Sequence, residues 1–229
     1  MKVKYIFKFD SGSDLTYDVD PDRADLEDEE SVSAAPEWAL LSHCQCSNCP
    51  MKASEVKYCP AALDIKQVVE DFRSQPAFQK VDVSVVVAER SYQKRTGIEE
   101  GLRSLLGLIL ATSRCPILSQ LKPMAVHHMP FSSNDEFILR SVSIYLLQQY
   151  FNHRAGDAPP DWELKGLVER NKQLQLVNQA LWQRIHTACE SDSNLKALLS
   201  FFSMSSSVSF SLESQLQKLR NALEGEQSN

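Results

Sequence analysis

The residues with the most chemical potential sit close together. Four of the six cysteines fall between positions 44 and 59, in the run Cys44-Gln-Cys46-Ser-Asn-Cys49-Pro50 and then Tyr58-Cys59-Pro60. Two thiolates with two residues between them can face one ion across a tight turn. A third and a fourth from a nearby segment complete the tetrahedron that zinc favours. Pro50 and Pro60 restrict the chain beside Cys49 and Cys59 and lower the entropy cost of closing such a site. The spacing therefore predicts a zinc knuckle with Cys46, Cys49 and Cys59 as its firm ligands. The fourth is open between Cys44, His43 and the distant Cys115. An iron–sulfur cluster uses the same thiolates and is the first alternative. A redox pair ranks below both. It needs a helix N-terminus after a strand, and here Pro50 follows Cys49 with no strand before it.

Other candidates are thinner. His127 and His128 would point about a hundred degrees apart on a helix and cannot easily share an ion. His128 could join Cys115 in a second site or serve as an acid–base group, but it reads better as a structural histidine. Lys94, Arg95, Arg103, Arg114 and Lys122 could line an anion pocket, although scattered bases are usually solvated. Asp18, Asp20, Asp22 and Glu29 match the first, third, fifth and twelfth positions of a calcium loop, yet Arg23 stands where that loop needs glycine. No Gly-rich phosphate loop and no nucleophile elbow occurs, and no catalytic residue is assigned.

Elements must position these groups. Val3, Tyr5, Phe7 and Phe9 alternate with charged neighbours, Asp10-Ser-Gly-Ser-Asp14 is turn chemistry, and Leu15, Tyr17 and Val19 alternate again, so a β-hairpin is expected. Residues 61–72 carry a helical apolar face. Val81 to Val87 is the strongest strand, with a return strand over 90–94. Thr96-Gly-Ile-Glu99 and Ser133-Asn-Asp-Glu136 are capping-box patterns. Pro116 suits the start of a helix running toward Val126. The helix after Ser133 is apolar on most sides and is expected at the centre of a bundle. Asp161 should cap the longest helix, whose Leu164, Leu167, Asn171, Leu174, Asn178, Leu181, Ile185 and Ala188 follow heptad spacing. A helix packed within a bundle, its Asn groups bonded to neighbouring chain, is the expected reading. A short helix over 195–202, a Ser-rich loop and a final helix after Ser211 complete the chain.

These elements predict an α+β fold: a small antiparallel sheet with the cysteine knuckle over residues 1–95, then a bundle of about five helices over 96–229, together one compact unit. Ten acids against four bases in the first thirty positions supply the whole formal charge of −6. No basic face for phosphates results, so nucleic acid is not an expected partner. No stretch suits a membrane span or a signal peptide, and a reducing cytoplasm is the expected setting for the clustered thiols.

The strings Cys46-Ser-Asn-Cys-Pro50, Cys59-Pro-Ala-Ala-Leu-Asp-Ile65, Arg103-Ser-Leu-Leu-Gly-Leu108, Ser113-Arg-Cys-Pro-Ile-Leu118, Lys122-Pro-Met124 and His128-Met-Pro-Phe131 resemble the recurrent blocks of a bacterial family of uncharacterised cysteine-containing proteins. The resemblance adds no substrate, but implies that Cys46, Cys49, Cys59, Cys115 and His128 belong to one system. The functional expectation is a non-enzymatic metal-containing binding or adaptor protein with structural zinc and an unidentified protein partner. The alternative is a metalloenzyme, or an iron–sulfur or redox protein, using Cys115 and His128 near the knuckle.

Overall fold

The computed structural model describes residues 2–22, 35–73, 75, 79–157 and 159–188, and near the end of the chain 214, 216, 217, 220, 221 and 224. Strands β1 (Val3–Phe9) and β2 (Asp14–Val19) form the expected hairpin. A 3₁₀ turn (Glu37–Ala39), the cysteine segment and helix α1 (Pro60–Phe72) follow, then strands β3 (Lys80–Val86) and β4 (Ser91–Gly97). Helices α2 (Ile98–Ala111), α3 (Lys122–Val126), α4 (Asn134–Ala155) and α5 (Lys165–Ala188) complete the described elements, with a second 3₁₀ turn at Leu118–Leu121.

The four strands make one antiparallel sheet in the order β2-β1-β3-β4. Its centre is set by alternation. Val3, Tyr5, Phe7 and Phe9 of β1 face the core with Val81, Val83 and Val85 of β3, and Phe7 lies opposite Val83 in the register. A one-residue slip would send this whole set to solvent. Helix α1 covers the face with Ile65, Val68, Val69 and Phe72, and α2 with Ile98, Leu102, Leu105 and Leu106. The Phe7 and Phe72 rings meet edge-on at 5.1 Å between centroids. Tyr17 of β2 donates to Asp71 of α1 at 2.7 Å, which ties the outer strand to the helix. One apolar core thus gathers residues from Val3 to Ile185.

Several expectations are corrected. The central helix is α2, buried nearly all round, and not α4. On α4 only Ile138, Ser141 and Tyr145 are buried, while Leu139, Leu147, Tyr150 and Phe151 are exposed. Its apolar residues are spread round the axis; one side packs on Leu167 of α5 and on Leu164 just before it, and Arg140 reaches the Met124 and His127 carbonyls on another. Thr96 does not cap α2. The strand β4 runs through it to Gly97, which is the N-cap, and the Thr96 hydroxyl bonds Glu100 instead. The box at Ser133 does form, with the Glu136 N–H donating to Ser133 and the Ser133 N–H to Glu136. The helix expected from Cys115 to Val126 is split into the 3₁₀ turn and α3. Asp161 acts on α5 from a distance, accepting from the Gly166 N–H at 2.7 Å and from the Tyr145 hydroxyl at 2.8 Å. The return strand is longer than expected and ends at Gly97. Most of the acidic stretch, the helix at 195–202 and the Ser-rich loop lie outside the described residues. No helix among the described residues is long and apolar enough to cross a membrane.

Helix α2 approaches the sheet closely at Gly101. A Cβ there would stand 2.6 Å from Phe7 and 3.0 Å from Val83, both side chains fully packed. Gly101→Ala gains helix propensity of up to about 1 kcal/mol, but overpacking costs about 1–3 kcal/mol. The expected net result is a less stable protein with a melting temperature lower by roughly 2–6 °C, checked by thermal and urea denaturation. An unchanged or raised midpoint would show that the helix can back away from the sheet freely.

Candidate functional site

The cysteine segment is closed by backbone pairing before any side chain acts. Leu40 and Tyr58 form an isolated antiparallel bridge, the Leu41 N–H donates to Lys57 and the Cys59 N–H to Ala39. Within the loop, the Cys49 N–H donates to the Cys46 carbonyl at 3.0 Å, so Cys46 and Cys49 flank a tight turn. Cys59 is the N-cap of α1 with Pro60 as its first residue. Cys115 stands in a similar corner, followed by Pro116, with its carbonyl accepting from the Ser119 N–H at 2.9 Å.

These corners meet. Cys46, Cys49, Cys59 and Cys115 line one small cavity of about 10 Å³, together with Met51 and Arg184. That volume is about the room one water or one ion needs. Among the described residues, however, no group of three or more His, Cys, Asp or Glu side chains stands as a ready metal-binding set. The thiols are gathered round one space without being drawn in as ligands. Cys44 does not line the cavity; it sits at φ 47° in the left-handed region. His43 does not line it either, and its buried Nε2 has no hydrogen-bond partner among the described residues.

The electrostatics follow from this burial. Burial pushes the Cys46 thiol up to about 12, and the neighbouring Cys59, Cys115 and Cys49 add to the rise, while Arg184 opposes it. Cys59 is raised by burial and pulled back by Arg184 and by the N–H groups of Ala62 and Ala61. Cys115 is raised by burial and pulled back by the N–H groups of Leu118 and Ile117. Helix N-termini favour thiolate in this way. Burial still disfavours the thiolate at Cys46, Cys59 and Cys115.

Arg184 of α5 was not singled out by its sequence context. It is 1% exposed. Its Nη1 donates to the carbonyls of Trp38 and Leu40 at 2.9 and 2.5 Å, and its Nη2 to that of Leu41 at 3.0 Å. Its Nε has no partner, and no carboxylate pairs with it among the described residues. Asn48, inside the Cys46–Cys49 turn, donates to the carbonyl and the side-chain oxygen of Gln173, also on α5. The knuckle is therefore held against the helix by polar bonds at two levels.

His128 belongs to a different place. It lines a larger cavity of about 160 Å³ with Ser104, Arg103, Arg140, Asn171 and Asn178. Its Nε2 lies 2.5 Å from the Tyr5 hydroxyl, which is 2.7 Å from the Ser104 hydroxyl, and the Phe131 N–H donates to Ser104 at 3.2 Å. One self-consistent assignment runs Phe131 to Ser104 to Tyr5 to His128, each hydroxyl accepting once and donating once. Burial, with a contribution from Arg140, lowers the His128 pKa to about 3, so the ring stays neutral. Cys115 and His128 thus face separate cavities. Of the bases that could have lined an anion pocket, Lys94 bonds Glu100, Arg95 pairs with Asp10 and Asp82, and Arg103 lies 3.8 Å from Glu100. The expected bonding of the seam Asn groups fails at Asn171, whose Nδ2 is buried without a partner among the described residues.

Residues 3–224 match a family described as a domain of unknown function, DUF6901. No curated protein and no solved structure matches the chain.

The His128 shift fixes a pH dependence. An unfolded histidine titrates near 6.5, whereas the folded ring stays neutral to about 3. The contribution is full above pH 6.5 and is lost as pH falls toward 3, by up to about 1.4 kcal/mol per pH unit. His128→Gln should flatten the fall of unfolding free energy between these limits, measured by urea titrations at several pH values. Parallel curves for the two proteins would mean that the folded ring protonates normally.

Proposed function

We propose that this chain, which belongs to the DUF6901 family, is a non-enzymatic binding or adaptor protein built round one zinc ion held by Cys46, Cys49, Cys59 and Cys115. The observation that carries this reading is the company Cys115 keeps. It comes from the far side of the sheet in sequence, yet it lines the same cavity as the three knuckle thiols, beside a buried guanidinium. Four thiolates are a common structural zinc set. With zinc they would hold two excess negative charges, and Arg184 answers one of them without a carboxylate of its own. The N–H groups behind Cys59 and Cys115 favour the charged sulfurs further. The small cavity suits one ion better than an iron–sulfur cluster, which brings several atoms of its own. A closed set of four protein ligands leaves no open position for catalysis, and His128 is turned to the other cavity.

Zinc, when bound, would supply a cross-link rather than a reaction. The chain's own residues would do the rest: the two Cys-Pro corners hold their thiols at the start of α1 and at the turn after Cys115, the Cys46–Cys49 turn presents the other pair, and Arg184 and Met51 keep water out. Metal-binding energy would then be folding energy.

The test is elemental analysis and melting of protein purified without oxygen. The expected result is a colourless protein with about one zinc per chain. Cys115→Ser should lose the metal and melt on the order of 10 °C lower, while Cys44→Ser should keep both metal and stability. A brown solution would put iron–sulfur first. Metal retained in Cys115→Ser but lost in Cys44→Ser would make the knuckle local and release Cys115 for chemistry.

A further inference from the structure

We propose that the larger cavity binds a small monocarboxylic acid with an apolar body of about six carbons, a cavity of that class being able to hold a benzene-sized molecule. This goes beyond the zinc reading and does not depend on it. The cavity of about 160 Å³ is walled by Leu108, Leu118, Ala125, Phe137 and Leu174, which suits a hydrocarbon body.

The polar groups define the head. Asn171 is 7% exposed and lines this cavity from α5, and its Nδ2 has no acceptor among the described residues. A buried donor left unmade is costly. Its seam neighbours Leu167 and Leu174 are well buried, so an apolar residue here would meet no such penalty. The Nδ2 is covered as it stands, so an oxygen on a bound molecule would satisfy the amide after a rotation of the side chain. Arg140 is the second group. Its Nη2 donates to the Met124 and His127 carbonyls, both at 2.8 Å. No carboxylate lies within ion-pair distance of it among the described residues, and burial holds its pKa below the usual guanidinium range, so an anion would favour its charge.

The charge count selects the class of anion. Lys94 and Arg103 share Glu100, Glu136 one turn away acts on Arg140, and His128 is neutral. Three cations, Lys94, Arg103 and Arg140, against the two carboxylates Glu100 and Glu136 leave one positive charge, matching a single negative charge. A carboxylate offers that charge and two acceptor oxygens, one for Arg140 and one for Asn171. A phosphate dianion would bring an excess charge into an apolar cavity.

The experiment is calorimetric titration of the full chain with hexanoate and, separately, with its neutral analogue hexanamide. Hexanoate should bind saturably and about tenfold more tightly than hexanamide, as one charge-assisted hydrogen bond requires. Arg140→Gln should bring hexanoate down to the hexanamide level and leave hexanamide unchanged, which also shows that the cavity is intact. Asn171→Ala should weaken hexanoate about tenfold, although it enlarges the cavity. A purely apolar pocket would bind as well or better after that change. The proposal is overturned by no saturable binding of hexanoate up to about 10 mM, a weak limit for a ligand of this size. Equal affinity for acid and amide, or unchanged hexanoate affinity in both variants, would overturn it too.

Discussion

The structure turns on a buried positive charge. Arg184 places its guanidinium among the carbonyls of Trp38, Leu40 and Leu41. Those carbonyls belong to the stretch where the chain enters the cysteine segment, so this one side chain fixes α5 against the knuckle. Burying a charge without an ionic partner is expensive, and carbonyl dipoles only partly offset the loss of water. The guanidinium also lines the cavity that Cys46, Cys49, Cys59 and Cys115 share, and its charge lowers the pKa of Cys46 and Cys59 against the effect of burial. The same helix that brings Arg184 also brings Val177 and Leu181 to the thiol cavity and Asn171, Leu174 and Asn178 to the larger one. Its heptad-like seam is a wall shared by two cavities rather than a coiled-coil interface.

Much of the frame was legible because it rests on periodicity. The alternation of Val3, Tyr5, Phe7 and Phe9 leaves one way to bury a face, and the β-branched run after Val81 leaves one element type. The tight spacing and the prolines pointed Cys46, Cys49 and Cys59 to one shared space, and they line one with Cys115, though no ready metal-binding set stands there among the described residues. What was not legible depends on orientation across long separations. Nothing near Arg184 in the sequence distinguishes it from a solvated arginine on a charged helix face. Its partners are backbone carbonyls, which carry no sequence signature. Asn171 looked like a seam residue with a partner, since the pattern records burial and not whether an acceptor stands opposite. Tyr5 looked like a core ring. Its hydroxyl reaches Ser104 and His128 only because β1 lies under α2 and the loop after α3.

Two structural habits recur and explain how irregular chain is held between regular elements. The first is a cysteine before a proline at the start of a helical turn, seen at Cys59 and Cys115. Proline there loses no hydrogen bond, and the preceding side chain is set beside free N–H groups. The second is the close approach of glycine where a helix must sit down on something rigid. Gly101 meets Phe7 under α2, and Gly166 meets the Tyr145 hydroxyl at the start of α5. Together they let α2 and α5 converge on the sheet and knuckle, leaving the outer face of α4 apolar and exposed.

The separation between Arg184 and the carbonyls it binds, 143 residues in the case of Leu41, also sets an order of events. A nascent chain emerges from its N-terminus, so the hairpin and the cysteine segment are synthesised long before α5 exists. Strand β1 waits for β3 to complete its pairing, and the carbonyls at 38, 40 and 41 wait longer still. Such distant closures are slow because loop entropy is lost before contacts reward it. During synthesis the thiols are therefore at their most exposed, without the helix that walls them and without the charge that steadies them. The final locking of the N-terminal half is deferred until residue 184 has left the ribosome.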